Sequence, residues 1–218
     1  MQETISAPEV FEVLRRSCEE LSEKHIDEFR KLDAAIGDGD LGITVRKGCQ
    51  AIAHTLRNTG IEDIGVVLSK CGADFNQANP STFGILAGSA FIESGRYANG
   101  KTVLDLGDIA KMFRASLEGV IKRGKAKAGE KTMLDALEPA VISLERSATE
   151  SKSIPVAFTE AASEAAIGLE KTKEMEAKKG RARAFGNRTI GEQDPGATVV
   201  YYFLKEIATA LNGQNEKG

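Results

Sequence analysis

Asp33, Asp38 and Asp40 fall close together in the run LDAAIGDGDLG, among glycines and small side chains rather than on a solvated face. Carboxylates crowded this closely repel one another unless a cation lies between them, and glycine lets the backbone turn tightly enough to aim them at one point. The pattern reads as a site for a hard metal. Aspartate ligands favour magnesium or calcium over zinc, and no Cys-x-x-Cys or His-Glu-x-x-His competes for the role. A calcium loop of the EF-hand kind needs glutamate at its twelfth position; counting from Asp38 gives Cys49 and counting from Asp33 gives Thr44, so that reading fails. A single Asp-Gly pair is ordinary turn chemistry. Three aspartates spaced five and two apart before a helix call for a ligand.

A second segment, GRARAFGNRTIGEQDPG from Gly180 to Gly196, separates two strongly periodic stretches and has no periodicity of its own. Loops of that length inside a compact domain are generally functional or disordered. Its arginines, Arg181, Arg183 and Arg188, offer donor forks that match phosphate oxygens and stay charged at any working pH. Asp194-Pro195-Gly196 has the form of a helix start, with Asp as cap and Pro in the first turn, and such a terminus attracts anions. Two further loops complete a candidate pocket. Asn79-Pro80-Ser81-Thr82-Phe83-Gly84 opens a helix rich in small residues, and GKAKAGEKTM from Gly124 to Met133 is a basic loop suited to covering phosphate or a nucleoside, although it matches no Walker spacing. His25 and His54 read as structural, and no residue stands out as a catalytic nucleophile.

The elements that must position these groups are helices. Aromatics make up 6% of the chain, there is no tryptophan, and apolar residues recur at intervals of three and four. Ser6-Ala7-Pro8-Glu9 forms a capping box with proline in the first turn, and Val10, Leu14, Cys18, Leu21, His25 and Leu32 make one stripe leading to the acidic loop. A second helix follows Gly42 with Val45, Cys49, Ile52 and Leu56 on one side, ending at Asn58-Thr59-Gly60. Further helices are expected at about 63 to 77, 83 to 97, 107 to 123, 132 to 148, 155 to 179 and 195 to 212, about eight in all. The β-like run Val199 to Leu204 keeps helical spacing through Val200, Phe203, Leu204, Ile207 and Leu211, and reads as a buried helix.

At 218 residues the chain suits one domain spanning 1–218, with no stretch resembling a long linker. A formal charge of -3 gives no basic field for nucleic acid or an anionic membrane, so any phosphate must be bound locally. No signal pattern or membrane span is visible, and Cys18, Cys49 and Cys71 lack disulfide-like or metal-like spacing, so a reduced cytoplasm is the expected compartment.

Taken together, LDAAIGDGD, GKAKAGEKTMLDALEPA and GRARAFGNRTIGEQDPGAT resemble the nucleotide-binding L subunit of dihydroxyacetone kinases, in the family's order and spacing and over essentially the whole chain. The resemblance implies an all-α closed barrel of about eight antiparallel amphipathic helices, with the nucleotide site at one end. It implies that Asp33, Asp38 and Asp40 hold two magnesium ions bridging the phosphates of ADP or ATP. It further implies that Leu41, Gly42, Ile43 and Thr44 start a helix whose N–H groups meet phosphate, that Thr82, Phe83, Gly124 and Met133 enclose the nucleoside, and that Arg181 with Asp194, Pro195 and Gly196 closes the site. The ketose is expected on a separate K-type subunit, with ATP or a phosphocarrier protein of the phosphoenolpyruvate system as phosphoryl donor. Two departures concern the ketose: Leu41 stands where the family often has His or Thr, and Pro80 to Ile85 replaces a Gly-Ala-Ser-Gly-Pro-Leu segment. A tetrose such as erythrulose is the variant substrate; a non-enzymatic ADP-binding partner of a transcription regulator is the alternative role.

Overall fold

The computed structural model describes residues 3–215. A short strand, β1 (Thr4–Ser6), leads into α1 (Ala7–Lys24) and α2 (Ile26–Ile36). There follow α3 (Leu41–Asn58), α4 (Ile64–Ala78), α5 (Thr82–Tyr97), strand β2 (Val103–Asp105), α6 (Leu106–Gly124), α7 (Leu134–Thr149), α8 (Ile154–Lys171) and α9 (Pro195–Asn215). Short 3-10 turns at Thr172–Glu174 and Ala182–Thr189 lie between α8 and α9. The expected N-terminal cap forms: Glu9 accepts from the Ser6 N–H at 2.8 Å and from its hydroxyl at 2.5 Å.

Each amphipathic stripe faces one shared apolar core. From α3 to α9 each helix packs on the next, α1 packs on both α3 and α9, and α2 lies against α3, α9 and α1. An apolar void of about 170 Å³ inside the core is lined from every α-helix except α2. The Val199–Leu204 run is helical, as its spacing requires. Cys18, Cys49 and Cys71 are buried and unpaired; burial pushes the Cys71 thiol up to about 12, so it stays protonated and inert.

Two expectations need correction, and one contact was not anticipated. The single first helix is two, broken at His25 (φ -114°, ψ 0°), whose ring stacks on Tyr202 with centroids 3.8 Å apart and whose Nε2 lies 3.3 Å from Glu206. That anchorage on α9 lets α2 turn away from the line of α1 and bury Ile26, Phe29 and Ile36, while Leu32 is left half-buried. The helix expected over 155 to 179 ends at Lys171; a 3-10 turn, Thr172–Glu174, follows, and the Thr172 and Met175 carbonyls accept from the buried Lys131 ammonium. Thr4–Ser6 pairs antiparallel with Val103–Asp105, a contact between distant segments that local periodicity does not encode.

Proline inside α7 is accommodated by its neighbour. Pro139 lacks the N–H that would bond the Asp135 carbonyl one turn earlier, and α8 brings Gly168 against that carbonyl; a Cβ at Gly168 would lie 2.0 Å from the oxygen. Among the described residues, no helix is long and apolar enough to cross a membrane.

Candidate functional site

The acidic loop is built by the α2–α3 junction. Asp33 projects from the last turn of α2, Asp38 lies in the four-residue connection, and Asp40 immediately precedes α3. One carboxylate oxygen from each can be chosen so that all three lie within 4.8 Å of one another. Two glycines make this possible. Gly39 has φ +75°, and a Cβ at Gly37 would fall 2.3 Å from the Asp33 carboxylate. Burial, and after it the Asp33 charge, raise the Asp40 carboxyl above its usual range. Arg181 reaches in from the distant loop to pair with Asp38.

Asp33 also accepts from the Leu41 N–H at 3.1 Å, and the Thr44 N–H donates to the Asp40 carbonyl at 3.0 Å. The Gly42 and Ile43 amides of the same turn find no acceptor among the described residues, and they carry the partial positive charge of the α3 N-terminus. Gly42, Ile43 and Thr44 do not line the cavity with their side chains. Gly42 packs against the Ile26 carbonyl, Ile43 points to solvent, and the buried Thr44 hydroxyl donates to Ser81 at 3.2 Å and accepts from Asn79 at 2.7 Å. Thr44 thus ties the acidic loop to the start of α5, where Ser81 caps the Gly84 N–H at 3.1 Å.

One cavity joins the segments that the sequence singles out. Its lining includes Asp33, Asp38, Asp40 and Leu41 from the α2–α3 junction, Thr82 and Phe83 from the start of α5, Gly124 and Met133 from the basic loop, and Arg181, Asp194, Pro195 and Gly196 from the loop before α9 and its first turn. Leu86 and Val120, which sequence reasoning missed, add apolar lining, and Ser81 and Thr132, from the two loops already singled out, add hydroxyls. The signal for Leu86 and Val120 was present but indistinguishable from core periodicity. Arg183 and Arg188 are exposed and absent from the lining; Arg188 instead lies over the Phe185 ring at 5.3 Å. Lys125 and Lys127 of the basic loop are likewise exposed and do not line the cavity, whereas Lys131 is turned inward.

Asp194 caps α9, accepting from the Ala197 N–H at 2.7 Å, and its own N–H donates to Thr172 at 3.0 Å. Burial raises its carboxyl to about 7, with the Asp135 charge adding and Lys131 and the backbone N–H bonds opposing. Asp135 shapes the basic loop, accepting from the Gly129 N–H at 2.5 Å and the Thr132 N–H at 2.7 Å.

The donor set suits a hard divalent cation: three convergent carboxylates, no thiolate or imidazole, and one arginine as the positive partner present. Fold and cavity together define a helical domain with a carboxylate-lined pocket, apolar at one side and flanked by a helix N-terminus. Residues 35–209 match the model of the DAK2 domain, and the chain belongs to that family. It is 38% identical over 179 residues to the PEP-dependent dihydroxyacetone kinase, ADP-binding subunit DhaL, of Escherichia coli, covering 82% of this chain and 85% of that protein. A Listeria innocua protein described in the same terms is 37% identical, with 76% of this chain and 78% of the relative covered. The L-erythrulose kinase of Pectobacterium atrosepticum is 30% identical over 86% of this chain, but the match spans 32% of that longer protein. The crystal structure of the dihydroxyacetone kinase of C. freundii has the same fold, with a TM-score of 0.74 at 23% identity, covering 96% of this chain and 35% of the kinase.

Proposed function

We propose that this chain is the nucleotide-binding subunit of a dihydroxyacetone (glycerone) kinase, a phosphotransferase component that acts only with a K-type subunit holding the ketose. The observation that carries the reading is the convergence of three carboxylates, Arg181 and an apolar wall in a single cavity. Asp33, Asp38 and Asp40 hold two magnesium ions. Bound there, the ions supply charge cancellation for the phosphates of ADP or ATP, which is most of what phosphoryl transfer needs beyond positioning. Within Leu41 to Thr44, the amides of Gly42 and Ile43 are the ones left to meet phosphate oxygens. Thr82, Phe83, Gly124 and Met133 enclose the nucleoside, and Arg181 with Asp194-Pro195-Gly196 closes the site.

Residues 1–218 form one such domain, of which positions 1–2 and 216–218 lie outside the described residues. Its eight helices α1 and α3 to α9 form a closed barrel with the nucleotide at one end, a reading supported by the order in which they pack. Curated relatives matched over most of their length are described as PEP-dependent or PTS-dependent, which favours a retained ADP recharged by a phosphocarrier protein over ATP exchanged each cycle. The erythrulose kinases are matched over only about a third of their length, so dihydroxyacetone is the favoured ketose. Three unpaired cysteines support a reducing, cytoplasmic setting.

The test is turnover of dihydroxyacetone by the purified chain with magnesium and either ATP or a phosphorylated carrier protein, with and without a K-type subunit. No product is expected from the chain alone, and product is expected once the K-type subunit is added. Robust turnover by the chain alone would refute the division of labour.

A further inference from the structure

Lys131 is 1% exposed, and no carboxylate lies within ion-pair distance of it among the described residues. A buried charge without an ion partner is costly unless dipoles replace its water. Here they do. Its ammonium donates to the carbonyls of Thr189 and Glu192, both at 2.6 Å, of Thr172 at 2.7 Å and of Met175 at 3.2 Å. Three short acceptors call for three N–H donors, which only the protonated amine has. Rings of carbonyl oxygens of this kind are how proteins replace the hydration shell of a monovalent cation.

The four carbonyls come from both limbs of one loop. Thr172 and Met175 lie on the limb leaving α8; Thr189 and Glu192 lie on the limb returning to α9. Arg181 sits between the limbs and Asp194 just beyond the second. The surrounding bonds propagate the tie: the Thr172 hydroxyl accepts from the Asp194 N–H at 3.0 Å, the Thr189 hydroxyl accepts from the Ala177 N–H at 3.0 Å, and the Gly191 N–H donates to the Lys173 carbonyl at 2.7 Å. Lys131 itself is held at φ +58°, a strained backbone for a non-glycine residue.

We propose that Lys131 is a positioning residue whose buried ammonium acts as an internal monovalent cation, clamping the two limbs of the 172–192 loop so that Arg181 and Asp194 are held in the lining of the cavity. The proposal deepens the nucleotide-binding reading and rests on it for its consequence: a loop that spends less time closed retains nucleotide less well.

The experiment uses the full chain carrying Lys131→Ala, which empties the cage, and Lys131→Met, which fills it with an apolar side chain. Release of a fluorescent ADP derivative bound with magnesium, and tryptic cleavage within residues 181–188, are followed in each. Both should accelerate by about tenfold or more in either variant, since hydrogen bonds to a charged group are lost. Ammonium chloride should restore slow release and protection to K131A but not to K131M, and tetramethylammonium at equal ionic strength should restore neither. Wild-type rates in K131A, equal effects of the two salts, or general loss of helical circular dichroism in both variants would overturn the proposal. The protease arm needs no nucleotide; a wild-type chain that fails to hold magnesium-ADP would refute the nucleotide reading while leaving the clamp to be decided by cleavage.

Discussion

Around Asp33, Asp38 and Asp40 the negative charges outnumber their partners, whereas around Lys131 one positive charge has a carbonyl for every N–H it can donate. Both clusters border the same cavity. The first is half-exposed and held open by two glycines, so its electrostatic deficit faces solvent, where a cation can correct it. The second is sealed, and its charge is spent on fixing the backbone around it. An unsatisfied charge at a surface is a binding site; a satisfied charge in the interior is a fastener.

The largest effect should come from Asp194, which lies at the sealed cluster but lacks its balance. Its carboxyl holds a proton more tightly in the folded chain, at about 7, than in the unfolded one. This group's contribution to stability is therefore greatest at low pH, falls as pH rises from about 4 to about 7, and is flat above, a loss on the order of 4 kcal/mol. Asp194→Asn keeps a capping side chain and removes the ionisation. The stability of D194N relative to wild type, from urea unfolding at pH 5 and pH 8, should rise with pH; a difference that does not change would show that Asp194 is already ionised in the fold.

At the open cluster, Asp38→Asn should leave the helical fold intact or slightly stabilised, since it lowers the repulsion, and should abolish stabilisation by magnesium with ADP. In wild type that stabilisation is about 2.7 kcal/mol at a hundredfold excess over the dissociation constant. Thermal unfolding with ADP and a chelator should show little of it. An equal shift with and without chelator would erase the distinction between the two clusters.

A smaller effect is expected at Gly39, where a Cβ must adopt φ +75° but meets nothing closer than 3.5 Å. Gly39→Ala should destabilise the chain by about 1–2 kcal/mol, from backbone strain alone. A neutral result in chemical denaturation would mean that the acidic loop is not held in this conformation.

The smallest effects belong to the outward-facing arginines. Arg183→Ala and Arg188→Ala should change stability by less than about 0.5 kcal/mol and leave magnesium-ADP binding within about twofold, unlike Arg181→Ala. Calorimetric titration of the three variants would rank them, and a large loss with R183A would show that the loop rearranges over the ligand.

Much of this was legible in one dimension. Carboxylate spacing, intervening glycines and the caps at Ser6 and Asp194 are local properties, because helix geometry and turn chemistry act over a few residues. The same holds for the apolar stripes, which located α3 to α7 and α9 closely. Other features needed the tertiary structure. His25 breaks the first helix through a ring on α9, Pro139 is tolerated because Gly168 packs on the freed carbonyl, and Thr44 is claimed by Ser81 and Asn79 rather than by the cavity. Lys131 is the clearest case. In sequence it is one lysine among three in a basic loop, with nothing to separate it from Lys125 and Lys127. Its role depends on four carbonyls more than forty residues away. The sequence by itself determined which residues could hold a cation and where the helices run, since both follow from neighbours along the chain. Which charges face the cavity and which are buried as fasteners was decided only by folding, because solvent access and hydrogen-bond partners are set by segments that sequence distance keeps apart.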